Sequence, residues 1–370
     1  MKKIAIFTLP LTARNYGGIL QAYALAIFLE RKGNDVELID RRFAKSLKYK
    51  IIMFIYTVFR AQYIRVHNNI YDKIDSFVSR QIKKSKPFFL KKELDDYLNN
   101  FNILVTGSDQ VWRTEYTRDI VSDLFLDFSK ENKFKKISYA ASFGIDSWKN
   151  LKMKDNVKSY LSDFDGISVR EDTAIKICKS SFNIDNAIQH IDPTLLLKKE
   201  DYMDLFKNKI SNEPNSIDLI ASYVLDEEEK KELIMNKISS LLNLKVNKIG
   251  TRIKLTNTNY KDYMNYKYDG IEDWLYGIYN SSFVITDSFH GMVFSIIFEK
   301  PFIVIGNSSR GITRFSSLLK LLNLEDRLIL NFDDQQINML LKETIDYSEV
   351  NKILDNERAR SNDYFNKFLK

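Results

Sequence analysis

The sequence is poor in several features that would mark other protein classes. Cys178 is the single cysteine, so no internal disulfide framework exists and a reducing compartment is the expected home. It follows the apolar positions Ala174, Ile175 and Ile177 and reads as packing. No apolar run approaches the ~20 residues that a membrane-spanning helix needs. The opening MKKIAIFTLP resembles a signal peptide only in its two lysines. Its apolar run stops at Pro10 without a small-residue cleavage site, so it reads as a buried strand and the expected location is the cytoplasm. Three histidines and no His/Cys/Asp cluster at ligand spacing leave neither a metal nor a bound cofactor expected.

The 370 residues exceed one ordinary core and fit two domains. Hydrophobic residues at 44% and charged residues at 28% are the balance of a folded globular chain. The net charge of +7 is unevenly placed: positions 41–92 hold fourteen Lys and Arg against Asp72 and Asp75 alone. A nucleic-acid-binding protein would spread basic residues over the body of its fold, so nucleic acid is not an expected partner. The basic stretch points to one patch that meets something anionic.

Apolar runs bounded by turn residues alternate with helical patterns, the signature of repeated strand-helix-strand units. Strands are expected at 3–7, 36–39, 102–106, 137–141 and 166–169, and in a second series at 217–224, 246–249, 283–286 and 302–305. Helices are expected from Gly17 to Gly33 and near 149–163, 226–242 and 347–370. The basic segment 43–100 interrupts the alternation with helices. Residues 1–195 form the expected first domain, 196–345 the second, and 346–370 a terminal helix. Open α/β units bind ligands where loops leave the carboxyl ends of their strands, and the notable motifs all fall at such ends.

Asn15-Tyr-Gly17-Gly18 joins the first strand to the first helix and would either let backbone amides approach an anion or simply turn the chain. Ser108, Asp109, Gln110, Trp112 and Arg113 follow the strand ending at Thr106 and suit a sugar's hydroxyls and apolar face; the alternative is a polar loop over a packed Trp112. Arg170 at the next strand end suits two-point recognition of a carboxylate or phosphate, with Glu171 and Asp172 also candidates to cap the helix that follows. Asp287-Ser288-Phe-His290-Gly291 stands between a buried strand and an almost wholly apolar helix, where polar groups must find partners or ligands. Arg310 and Arg314 lie in a hydroxyl-rich loop entering a helix, a phosphate site or a solvated loop. His67 receives no role and His190 a structural one.

Taken in order, NYGGILQAYAL, VTGSDQVWR, SYAASFG, SVREDTA, HIDPTLLL and VITDSFHGMVFSII resemble the motif series of the polysaccharide pyruvyl transferases, from residue 4 to about 325. That resemblance implies a glycosyltransferase-B-like α/β fold of two facing Rossmann-like domains, with the basic helical insertion in the first. It also implies phosphoenolpyruvate as donor and a sugar acceptor in a capsular or exopolysaccharide precursor. His290 and Arg170 match the family's donor-linked positions, although Arg170 is followed by Glu171-Asp172 where many relatives have aspartate directly. On this reading His290 is the general acid, with Arg170 and then Arg310 or Arg314 holding the donor. Asn15, Gly17, Gly18, Ser288 and Gly291 complete the donor site, and Asp109 or Asp287 accepts protons. The rival enzyme is a nucleotide-sugar-dependent glycosyltransferase of the same fold, and the rival class is a non-catalytic carbohydrate-binding relative. The run IIMFIYTVF at 51–59 is flanked by Lys45, Lys48, Lys50, Arg60 and Arg65. It is expected either to pack on the first domain or to lie in an anionic membrane surface near a lipid-linked acceptor.

Overall fold

A computed structural model describes residues 1–44, 70–128, 134–212, 218–226, 228–250, 268–306, 311–330 and 333–370. The run at 51–59, its flanking basic residues and Arg310 lie outside the described residues. Among those described, no helix is long and apolar enough to cross a membrane.

The first domain begins with β1 (Lys3–Phe7), α1 (Tyr16–Glu30) and β2 (Asp35–Leu38). Next come α2 (Asp72–Gln81), α3 (Lys91–Leu98), β3 (Ile103–Thr106), β4 (Lys135–Ser138) and α4 (Lys154–Ser162). Three further elements follow: β5 (Ser168–Val169), α5 (Asp172–Phe182) and β6 (Ile188–Gln189). The parallel order is β2-β1-β3-β4. Single parallel bridges, Ile137 to Gly166 and Ala141 to Val169, carry β5 and then β6 onto the β4 edge. Strands β1 and β3 are almost uninterrupted apolar runs because helices cover both faces of a parallel sheet. Helix α1 stops at Glu30, and Gly33 closes the turn with φ +79°, a left-handed conformation that suits glycine.

The second domain contains β7 (Leu219–Tyr223), α6 (Glu229–Leu242), β8 (Lys245–Lys248), α7 (Ile271–Tyr279), β9 (Phe283–Thr286) and α8 (Phe289–Ile297). It closes with β10 (Phe302–Ile305), α9 (Thr313–Leu321) and β11 (Leu328–Ile329), in the parallel order β11-β10-β9-β7-β8. Strand β8 is one of the two edge strands, and its lysines discourage pairing with another chain. The last helix, α10 (Tyr347–Leu369), starts beside the second domain and ends on the first. Asn351 donates to Glu299 at 2.8 Å near its start. Near its end Tyr364 Oη donates to the Ser138 carbonyl at 2.8 Å, and Tyr139 and Ser361 share a hydrogen bond of 3.0 Å. Helices α1, α8 and α10 contribute to one apolar core that runs between the two sheets. The carboxyl ends of both sheets therefore face each other across a fixed gap.

Candidate active site

The gap holds a cavity of about 270 Å³ whose wall includes Leu9, Asn15, Asp109 and Gln110 from the first domain and Ser288, Phe289, His290 and Arg314 from the second. Two strand-end loops of the first domain, after β1 and β3, and three of the second, after β7, β9 and β10, supply that wall.

The loop after β1 gives Asn15, whose side chain accepts the Gly18 amide at 3.1 Å and so caps α1. That amide is thereby spent within the chain. Gly17 serves the fold differently. A Cβ there would lie 2.0 Å from His290 Nδ1, so the missing side chain makes room for the imidazole of the facing domain. Gly18 is less constrained, since a Cβ would meet Asp109 Oδ2 at an ordinary 3.5 Å.

Of the residues after β3, the structure brings Asp109 and Gln110 to the cavity and sends others elsewhere. Asp109 adopts φ +73°, a left-handed backbone that an aspartate tolerates better than most side chains, and its carboxylate stands 3.9 Å from Arg170 Nη2. Gln110 accepts from Arg113 at 2.9 Å. Trp112 takes the packing alternative. It is fully buried, stacks on Phe125 at 5.2 Å and donates its Nε1 hydrogen to the Leu124 carbonyl. Ser108 is also buried and donates to Asp192 at 2.9 Å.

Arg170 follows β5 and is buried, yet only Nη1 finds a hydrogen-bond partner, Asp192 at 2.9 Å. Nε and Nη2 are buried without one. Burial opposes its charge, but Asp192, Glu171 and Asp109 outweigh burial and raise its pKa. Glu171 sits at the α5 cap position without capping; its carboxylate accepts Ser142 Oγ at 2.7 Å instead. Arg314, from α9, is buried as well; burial, then the neighbouring Arg170 charge, bring its pKa down to about 10. Phe289 lies under both guanidiniums, 4.4 Å from Arg170 and 5.7 Å from Arg314.

The loop after β9 carries the second domain's contribution. Ser288 Oγ accepts the Gly291 amide at 3.4 Å and caps α8, while a Cβ at Gly291 would strike Thr286 Oγ1 at 2.2 Å. His290 is buried, with Nε2 unpartnered and 3.6 Å from Asp192 Oδ2. Asp287 is fully committed within its own domain. Its carboxylate accepts the amides of Leu225 at 2.7 Å and Asp226 at 3.2 Å, and the buried Lys231 Nζ at 2.9 Å.

Reading the sequence missed two contributors. Phe289 was concealed by its resemblance to core packing. Asp192 is fully buried and joins Arg170, Ser108, Thr194 and the His290 side of the cavity. Burial alone would raise its pKa, but His290, Arg170 and Thr194 hold the carboxyl far below the usual range. The one local signal was Asp before Pro-Thr, the pattern of a helix cap, which it also is: Oδ1 accepts the Thr194 amide at 3.1 Å. His190, two residues earlier, pairs with Ser168 at 2.8 Å and stacks on Tyr139, and it lines a second, smaller cavity behind Arg170 and Asp192.

Among solved structures, the fold is similar to UDP-GlcNAc 2-epimerase from Neisseria meningitidis bound to UDP-GlcNAc, with TM-score 0.57 and 11% identity over 99% of this chain and 100% of that one. It is also similar to UDP-N-acetylglucosamine 2-epimerase from Rickettsia bellii, with TM-score 0.50 and 13% identity over 99% and 98%. UGT89C1 of Arabidopsis thaliana complexed with UDP-L-rhamnose gives TM-score 0.50 and 9% identity over 96% and 93%. At such identities these likenesses establish the glycosyltransferase-B-like architecture alone. A comparison with curated protein sequences returns no match. Residues 15–309 match the family described as polysaccharide pyruvyl transferase, a span that contains Asn15, Asp109, Arg170, Asp192, Asp287 and His290. With the motifs, the fold and the converging strand ends in agreement, the chain belongs to the polysaccharide pyruvyl transferase family.

Proposed function

We propose that the enzyme transfers pyruvate from phosphoenolpyruvate to two hydroxyls of one sugar in a bacterial surface-polymer precursor, giving a cyclic ketal and inorganic phosphate. One observation carries this reading. Two buried guanidiniums, Arg170 and Arg314, lie 4.4 Å and 5.7 Å from the centre of the Phe289 ring, and Arg170 Nε and Nη2 have no hydrogen-bond partner, only the carboxylates of Glu171 and Asp109 at 3.8 Å and 3.9 Å. Buried donors without partners call for a ligand, and a planar fork suits a carboxylate or phosphate. A small dianionic donor with a carboxylate at one end and a phosphate at the other fits such a pair.

In the first step one sugar hydroxyl oxygen bonds to the central carbon of the donor, while His290 delivers a proton to the methylene carbon, which becomes a methyl group. The hydroxyl proton passes to Asp109, the carboxylate on the cavity wall whose neighbours leave it accessible. Asp287 is poorly placed for that work because its oxygens already accept three hydrogen bonds. In the second step the other hydroxyl oxygen attacks the same carbon and the carbon–oxygen bond to phosphate breaks. The second proton leaves with the phosphate. Arg170 and Arg314 stabilise the departing charge. A lipid-linked acceptor would bring the enzyme to the inner membrane face, and the basic segment at 41–92 would suit that position.

The test is incubation with phosphoenolpyruvate and simple aryl galactosides and mannosides or lipid-linked sugars, following phosphate release. Release that needs both substrates is expected. Phosphoenolpyruvate at ~100 times its dissociation constant should add ~2.7 kcal/mol of stability. Stabilisation by UDP- or GDP-sugars instead, with no phosphate released from the donor, would turn the assignment to a glycosyltransferase.

A further inference from the structure

We infer that Asp192 is the positioning residue of this site, a single buried carboxylate that sets Arg170 and His290 against each other across the two domains. The inference rests on the function proposed above. Asp192 stands between β6 and the turn Pro193–Leu195, with no exposed side-chain surface. Its Oδ1 is fixed by Thr194, through the amide at 3.1 Å and the hydroxyl at 2.7 Å. Its Oδ2 accepts Ser108 Oγ at 2.9 Å and Arg170 Nη1 at 2.9 Å, and faces His290 Nε2 at 3.6 Å.

A carboxylate offers about four lone-pair directions, and Ser108, Arg170 and Thr194 take them all from one side of the gap. The group cannot swing without breaking several bonds in a buried place, so its position is determined by the first domain alone. Two consequences follow. Arg170 hydrogen-bonds Asp192 through Nη1 alone, which leaves Nε and Nη2 without a hydrogen-bond partner, at ion-pair distances of 3.8 Å and 3.9 Å from Glu171 and Asp109. His290, arriving from the second domain through the slot that Gly17 leaves, meets a fixed negative oxygen at Nε2. At 3.6 Å this contact is longer than a hydrogen bond, so what Asp192 exerts on His290 is the attraction of a nearby fixed charge. Asp192 thus acts through its neighbours and touches no substrate, which fits its seclusion behind Arg170 and His290.

The decisive variant is Asp192→Asn, which keeps shape and removes the charge. Nuclear magnetic resonance of the histidine ring nitrogens, with the His290 signals assigned through their loss in His290→Gln, reads the inference without any turnover. Changed His290 ring signals are expected, and unchanged ones would overturn the inference whether or not the enzyme uses phosphoenolpyruvate. Kinetics supply the second readout: the variant should lose ~10²-fold in donor kcat/KM with an acceptor KM within about twofold of the parent. Donor kcat/KM within about twofold of an active parent would also overturn it. A parent that releases no phosphate while the His290 signals change would sink the proposed reaction and leave the coupling standing. Should Asp192→Asn fail to fold, Thr194→Val removes one of the two hydrogen bonds that hold Oδ1, leaving the amide, without touching Arg170 or His290. It should lower donor kcat/KM by ~3–10-fold and move the His290 signals, and parental values for both would refute the inference.

Discussion

The two strand edges that meet at the cavity are built on opposite plans. The edge of the first sheet carries a connected set of charges, Asp109, Arg170, Glu171 and Asp192, arriving on loops from three strands. The edge of the second sheet presents Phe289 and His290 on an apolar helix together with the buried Arg314 of α9, and its Asp287 is held by Lys231 and two amides of the loop after β7. Asp192 and Asp287 are both buried aspartates just past a strand. One holds Arg170 and faces His290 across the gap, and the other holds its own domain's loop and Lys231. What separates them is which segments own their partners, and burial alone does not reveal it.

Paired substitutions would break or sharpen that contrast. His290→Ala should lower turnover by ~10²–10⁴-fold while the protein stays folded, because it removes the proton donor. Activity within about tenfold of the parent, ~1.4 kcal/mol of barrier, would remove His290 from the acid role. Asp287→Ala should show its effect first in stability, losing ~3–5 kcal/mol, because the buried Lys231 would keep only the exposed Glu228 carboxylate and the Asp226 carbonyl while two amides lose their acceptor. Chemical denaturation separates the two outcomes. If Asp287→Ala unfolds at the parental midpoint while activity vanishes, Asp287 belongs to the chemistry and the contrast between the edges fails.

The contrast also explains what the sequence could reveal. Strands β9 and β10 were legible to the residue, since each is a four-residue apolar run between polar turns. Strand β4 was expected at 137–141 but ends at Ser138, because Ala140 adopts φ +48° and breaks the ladder before Ala141 pairs with Val169. Strands β6 and β11, two residues each, are too short to show any period. Within the site, His290 and Arg170 stood out because polar groups at buried strand ends are conspicuous in one dimension. Asp192 did not, since Ser108, Arg170 and His290 lie far from it in the chain, and its local pattern explains itself as a cap. Trp112 and Asp287 looked like ligand groups for the converse reason: partners that satisfy them come from Leu124, Phe125, Leu225 and Lys231.

A smaller effect tests the assignment of the other buried histidine. Burial first, and then the Arg360 charge, push the His190 pKa down from 6.5 to about 4. The folded protein therefore binds fewer protons at this position than the unfolded chain between those values. Stability rises with pH through that window and is lost as pH falls from about 6.5 towards 4, by on the order of 3 kcal/mol at ~1.4 kcal/mol per pH unit. Replacing His190 with glutamine should flatten this part of the stability–pH curve and leave the donor KM near the parental value. An unchanged slope would show that another group governs acid unfolding.

The smallest expected effect lies at the rim, where α2 of the first domain meets α7 of the second. Arg80 pairs with Glu272 at 2.8 Å and Lys73 with Asp273 at 2.7 Å, so both ion pairs cross between domains as Asp192 and His290 do. Their settings differ. The side chains of Arg80 and Lys73 are 58% and 53% exposed, and water screens their attraction while the long chains lose rotamer freedom. The domains also meet near this point through Tyr71, stacked on Tyr268 at 4.6 Å, and through the buried Tyr16, which stacks on Trp274 at 5.4 Å and donates to the Asp269 carbonyl at 2.8 Å. Arg80→Ala should therefore cost under ~1 kcal/mol of stability, an amount that fades in ~1 M salt where the screening length falls to ~3 Å. Tyr16→Ala should cost ~3–5 kcal/mol, with little dependence on salt, because it removes a buried aromatic ring. A large, salt-sensitive loss for Arg80→Ala would mean that exposed charges, and not the buried aromatic contact, hold the two strand edges at the spacing the cavity requires.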